Sequence, residues 1–135
     1  MSTNSPSEVA RLWFGDMWNN RDTGLVRELM APDAIGTFEG GTTMVGPDGF
    51  IDFQKAFLDA VPDLKVELLK SVSQGDDVCV HWRGSGLHCG AGLGCAPSGK
   101  QIEFQGVTWL TVQNGQIVAG QDFWNLGGLM QHLAE

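Results

Sequence analysis

The 135-residue sequence contains no tyrosine and few basic residues. Without tyrosine, no phenol group can serve as an acid or a base in this chain. Eight lysines and arginines stand against sixteen aspartates and glutamates, which gives a net charge of -8, and the basic residues form no run. We therefore expect no nucleic-acid partner and no anionic membrane surface as a partner.

Cysteine and long apolar runs are also scarce. The three cysteines are odd in number and too few for a disulfide framework, so we expect reduced thiols and a cytoplasmic location. No apolar stretch is long enough to cross a bilayer, and the polar start at residues 1–6 lacks the pattern of a secretory signal. The spacing of His88, Cys89 and Cys95 matches no zinc motif, so no metal site is expected.

Several segments carry the signals of helices. Ser5, Pro6 and Glu8 form a capping sequence, after which apolar residues recur at helical spacing as far as Trp18. The other predicted helices begin at a cap on Asp22 and end at Pro32, run from Gly46 to Pro62, and cover Leu126–Leu133.

The remaining segments read as strands. Strands are predicted at Ala34–Glu39, in a short piece ending at Val45, and at Leu64–Leu68, Val78–Gly86, Ile102–Val112 and Ile117–Asn125, with turns at Gly40-Gly41 and Asn114-Gly115. Helices first and an antiparallel meander last indicate one α+β domain over residues 1–135. So few helices cannot cover both faces of a flat sheet. We therefore predict a curved sheet that wraps around the N-terminal helices and leaves an apolar pocket.

The order of elements, with Pro62-Asp63-Leu64, Gly86-Leu87-His88-Cys89-Gly90, Pro97-Ser98-Gly99-Lys100 and Asn114–Val118, resembles the SnoaL-like polyketide cyclase family. The resemblance spans nearly the whole chain. It implies the nuclear transport factor 2-like fold, a cone-shaped, mostly antiparallel α+β barrel, often present as a homodimer. It also implies no cofactor and a hydrophobic, aromatic or polyketide-like small molecule as the ligand.

The resemblance implies that Asp122 is the acid/base residue. A carboxylate on an apolar wall is desolvated, which raises its pKa toward the range useful for proton transfer. His88 is a candidate catalytic partner because imidazole titrates near neutral pH. Candidate substrate-binding residues are Phe14, Trp18, Phe38, Phe53, Phe57, Trp82, Phe104, Thr108 and Trp124.

The turn at Asn114-Gly115 decides which residues of the preceding strand share the pocket with Asp122. A three-residue loop with Gly115 left-handed directs Phe104 and Thr108 inward, whereas a strict two-residue turn directs Val107 and Trp109 inward. We favour the three-residue loop, because the resemblance also brings the position of Thr108 into the pocket.

Two functions follow from these residues. The first is a cofactor-independent acid/base enzyme in which Asp122 removes a proton alpha to a carbonyl and an aldol cyclisation or isomerisation follows. His88 or Thr108 would hydrogen-bond the enolate. The alternative is a non-catalytic binding protein for a hydrophobic small molecule. The alternative gains weight because the family's pocket histidine is replaced by Thr108 in this sequence.

Overall fold

Most of the helices lie in the first half of the chain in the computed structural model, which describes residues 4–38, 41 and 43–134. Helix α1 (Pro6–Arg11) continues as a π-helical segment (Leu12–Met17) and a last α-helical turn, α2 (Trp18–Asn20). Helices α3 (Thr23–Leu29), α4 (Gly46–Ala60) and α5 (Leu126–Ala134) follow. The side-chain oxygen of Ser5 accepts a hydrogen bond from the backbone N–H of Glu8, as the capping sequence predicts.

Six strands form one curled sheet in the order β2-β1-β6-β5-β4-β3. The strands are β1 (Met30–Thr37), β2 (Thr43–Val45), β3 (Lys65–Gln74), β4 (Asp77–His88), β5 (Lys100–Gln113) and β6 (Gln116–Trp124). Only the pairing of β1 with β6 is parallel among the described strands. The α+β class is therefore confirmed, with a mixed sheet as predicted.

The second helix ends earlier than the sequence predicts. It stops at Leu29, and Met30 already begins β1, which contains Pro32. The residue before a proline is pushed toward extended backbone, so Ala31 could not continue the helix. The strand predicted at Ala34–Glu39 consequently starts four residues sooner. The predicted strand end at Glu39 and the turn residue Gly40 lie outside the described residues.

The hairpin between β5 and β6 corrects the predicted turn. Gln113 pairs with Gln116, so the loop is the two-residue turn Asn114-Gly115, and both residues have positive φ, 54° and 77°. The register then shifts: Val112 pairs with Ile117, but Thr111 pairs with Ala119. Val118 is the extra residue of a β-bulge. This bulge reverses the faces that a strict two-residue turn would produce, so Thr108 pairs with Asp122.

The first helical segment is tied to the sheet by one side chain. The amide of Asn19 donates to the carbonyl oxygen of Val66 at 2.8 Å and accepts from the N–H of Val66 at 2.9 Å. Asn19 thus pairs with β3 as a neighbouring strand would, and it holds the aromatic residues of the helix against the sheet. No helix in the described part of the chain is both long and apolar enough to cross a membrane.

Candidate functional site

Helices and the concave face of the sheet enclose an apolar cavity, here called the aromatic cavity. Its volume, counted as the space that the centre of a water molecule can occupy, is about 70 Å³. Its lining consists of Trp13, Phe14, Trp18, Phe50, Phe53, Phe57, Leu64, Val66, Trp82, Phe104, Thr108, Asp122 and Trp124. Eight of the nine predicted substrate-binding residues are in this lining, together with Asp122. Aromatic rings at this density favour flat, apolar ligands.

A chain of hydrogen bonds runs across the wall of this cavity. The indole Nε1–H of Trp82 donates to Thr108 Oγ1 at 2.8 Å, and Thr108 Oγ1 donates to Asp122 Oδ1 at 2.7 Å. An indole N–H can only donate and an ionised carboxylate can only accept, so the single hydroxyl proton of Thr108 is directed to Asp122. The side chain of Thr108 is buried, and its proton is not available to a ligand oxygen while this arrangement persists.

The surroundings of Asp122 change the pKa of its carboxyl group. Burial raises the pKa of Asp122 from its ordinary 3.8 to about 6, while the hydrogen bond from Thr108 acts in the opposite direction. Thr108 occupies Oδ1, and no hydrogen bond to Oδ2 is formed by the residues that the structure describes. A carboxylate with such a pKa is ionised at pH 7 and readily reprotonated, as general acid/base chemistry requires.

Phe38 lies beside the aromatic cavity and not in its lining. Its ring packs on Phe53, with the centroids 4.5 Å apart, and it lines a neighbouring cavity that also reaches Asp122. The predicted contact of Phe38 with a ligand thus depends on that second cavity.

His88 is not brought to Asp122, although the sequence made it a candidate catalytic partner of that residue. His88 pairs with Lys100 on β5, whereas Thr108 pairs with Val80, so eight residues of β4, about 26 Å of extended strand, separate the two positions. The His88 ring is fully buried. Its Nδ1 accepts from the N–H of Ser98 at 3.1 Å and lies 2.8 Å from Ser98 Oγ. His88 therefore joins the end of β4 to Ser98, near the end of the loop that leads into β5.

Four lining residues were missed by sequence reasoning: Trp13, Phe50, Leu64 and Val66. Phe50 shares the helical stripe of Phe53 and Phe57, so its spacing could have identified it. Trp13 precedes Phe14 in the π-helical segment, and both residues are buried there. No cluster of histidine, cysteine, aspartate or glutamate suited to a metal ion occurs among the described residues.

Comparisons with known proteins identify the family and the fold of this chain. A family model described as SnoaL-like polyketide cyclase matches residues 8–133. A candidate SnoaL-like polyketide cyclase from Jannaschia sp. CCS1 is 27% identical, with a TM-score of 0.88 over 96% of this chain and 91% of that chain. IdmH, a candidate polyketide cyclase from Streptomyces antibioticus, is 23% identical, with a TM-score of 0.84 over 98% of this chain and 100% of that chain.

A third structure, like that of IdmH, bears on the fold alone. A protein from Catenulispora acidiphila with a ketosteroid isomerase-like fold is 18% identical, with a TM-score of 0.79 over 97% of this chain and 95% of that chain. No curated protein sequence matches. The family model covers almost the whole chain, including every residue of the aromatic cavity. This chain belongs to the SnoaL-like polyketide cyclase family.

Proposed function

We propose that this chain is a cofactor-independent acid/base enzyme in which Asp122 is the general base. The observation that carries the proposal is a single carboxylate in an aromatic cavity, with its pKa raised by burial to about 6. The substrate is a hydrophobic carbonyl compound, aromatic or polyketide-like, and the reaction is an aldol cyclisation or an isomerisation. Membership of the cyclase family supports this reaction class.

The proposed steps use the two oxygens of Asp122 differently. Thr108 holds Oδ1, so Oδ2 takes the proton from the carbon alpha to the carbonyl and an enolate forms. The enolate carbon then bonds to a second carbonyl carbon of the same molecule. The resulting alkoxide takes the proton back from Oδ2, which regenerates the carboxylate. One positioned acid/base group contributes roughly 10²–10⁴-fold to such a rate.

The test requires no knowledge of the natural substrate. Acetophenone or a related phenyl ketone is incubated in D₂O with the protein, and exchange of its alpha protons is followed by NMR. The wild type should accelerate the exchange, and Asp122→Asn should reduce it to the buffer rate while ketone binding stays within about threefold. Asp77→Asn is the matched control, because Asp77 also accepts from a threonine, Thr111 Oγ1 at 3.0 Å, but does not line the aromatic cavity. Full exchange activity in Asp122→Asn would refute the assignment.

A second function is favoured by one observation. The proton of Thr108 is committed to Asp122 and His88 lies elsewhere, so the polar donors expected to stabilise an enolate do not face a ligand. This arrangement suits a binding protein for a hydrophobic small molecule, with Asp122 orienting the ligand. Ketone binding with no exchange in the wild type would establish this alternative.

The outer face of the sheet supports a homodimer, which we also propose. Val107, Trp109 and Phe123 form an outer apolar stripe on β5 and β6, where they are 38, 46 and 50% exposed. Charged groups lie to one side of it, where Arg83 forms ion pairs with Glu67 and Glu103. An apolar centre beside a charged edge is typical of a protein interface.

Cysteines without disulfides, at positions 79, 89 and 95, support a reducing cytoplasmic location.

A further inference from the structure

A second cavity adjoins the aromatic cavity and shares a wall with it. Trp13, Phe50, Thr108 and Asp122 line both cavities. The rings of Trp13 and Phe50, with centroids 4.7 Å apart, form the apolar part of the wall, and the Thr108–Asp122 pair forms its polar part. The carboxylate therefore borders two compartments.

The two compartments differ in chemistry. Beyond the shared wall, the lining of the second is mainly aliphatic and includes Met30, Ala34, Met44, Leu110 and Ile117. We call it the aliphatic cavity. Its volume, counted as the space that the centre of a water molecule can occupy, is about 40 Å³. Methionine side chains are flexible and adapt to irregular apolar groups. Such a lining suits a saturated chain, whereas the aromatic cavity suits a flat ring.

One residue in the lining of the aliphatic cavity is exposed. Ile35, in its lining, is 52% exposed. Well-packed interiors contain few voids larger than a water molecule, and this one lies against the one carboxylate of the aromatic cavity.

We propose that the substrate has two parts, an aromatic ring system and an aliphatic arm joined at a carbonyl. The ring lies in the aromatic cavity, the arm lies in the aliphatic cavity, and the carbon alpha to the carbonyl lies at Asp122. The catalytic meaning of this placement rests on the proposed function of Asp122. The division of the ligand between two cavities is a matter of binding and is tested separately.

The test is a binding series of phenyl alkyl ketones, from acetophenone through butyrophenone to hexanophenone, measured by calorimetry. In the wild type, affinity should rise with chain length by up to about fourfold per methylene buried. Ala34→Leu fills the aliphatic cavity and should abolish this dependence while leaving acetophenone affinity within about twofold. Gly120→Ala is a milder filler of the same cavity, because its new Cβ meets only the end of Leu110, at 3.2 Å, closely. It should reduce the chain-length dependence in part.

A filler of the other cavity is the matched control. Val66 lines the aromatic cavity alone, so Val66→Phe should weaken all three ketones by a similar factor and preserve the dependence on chain length. Thermal unfolding of each variant verifies that it folds. An affinity that does not grow with chain length in the wild type, or a dependence that persists in both Ala34→Leu and Gly120→Ala, would overturn the proposal. Neither result depends on whether Asp122 exchanges protons.

Discussion

At the scale of single residues, the site is governed by hydrogen-bond direction. Trp82 can only donate to Thr108, and the ionised Asp122 has no proton to give, so Thr108 donates to Asp122. This bond stabilises the ionised carboxylate, while burial destabilises it, and burial is the larger effect. The balance leaves the pKa of Asp122 at about 6, so the base form is present above that pH and is lost as the pH falls through 6.

Thr108→Val tests this balance. Valine has nearly the same shape but cannot donate, so the pKa of Asp122 should rise further, by about one unit for the loss of a hydrogen bond to a charged group. The acidic limb of the ketone exchange rate should move to higher pH by that amount. The midpoint is the quantity to compare, because the variant also leaves the indole N–H of Trp82 without its acceptor and lowers stability.

Thr111→Val is the control for that experiment. Thr111 donates to Asp77 Oδ1 in the same way, but neither residue lines the aromatic cavity, so the acidic limb should stay in place. A midpoint that is unchanged, or lowered, in Thr108→Val would show that the Thr108 hydroxyl does not stabilise the Asp122 carboxylate.

At the scale of secondary-structure elements, two local devices position the cavity walls. Asn19 joins the end of the first helical segment to β3 through both backbone groups of Val66. The bulge at Val118 sets the face of β6 that carries Asp122. Both devices act on residues of the cavity lining, Val66 in one case and Asp122 in the other.

Asn19→Asp should disrupt the link between the first helical segment and β3 with almost no change in the shape of the side chain. The carboxylate can still accept from the N–H of Val66 but cannot donate to its carbonyl oxygen, which it repels. We expect a loss of about 1–2 kcal/mol in the free energy of unfolding, measured by urea titration. Asn20→Asp adds the same charge one residue later, and a loss there as large as in Asn19→Asp would contradict the role assigned to Asn19.

At the scale of the whole molecule, the two faces of the sheet carry different groups. The concave face holds the aromatic cavity, and the convex face carries the outer apolar stripe of Val107, Trp109 and Phe123. Val107 and Phe123 are paired across β5 and β6, and Trp109 lies two residues along from Val107 on the same face. Exposed aromatic residues so close together are typical of a contact with another protein surface.

Trp109→Ser should shift the protein from dimer to monomer in analytical ultracentrifugation, because it removes the largest apolar group of the proposed interface. Val72→Ser is the control, since Val72 is 62% exposed on β3, outside the stripe. A wild type that sediments as a monomer at micromolar concentration, or a Trp109→Ser variant that remains a dimer, would contradict the proposed interface.

The sequence by itself determined the kinds of element and most of the cavity lining. Helix caps such as Ser5, apolar periodicity and the Asn114-Gly115 turn act over a few neighbouring residues, so they can be recognised without tertiary structure. The tertiary structure alone decided the bulge at Val118, the burial of His88 beside Ser98 and the hydrogen bond from Thr108 to Asp122. These features depend on strand register and on groups distant in the sequence. The pocket was therefore predictable as an aromatic enclosure. The hydrogen bond between Thr108 and Asp122, however, depends on the register of β5 and β6, which the bulge at Val118 sets.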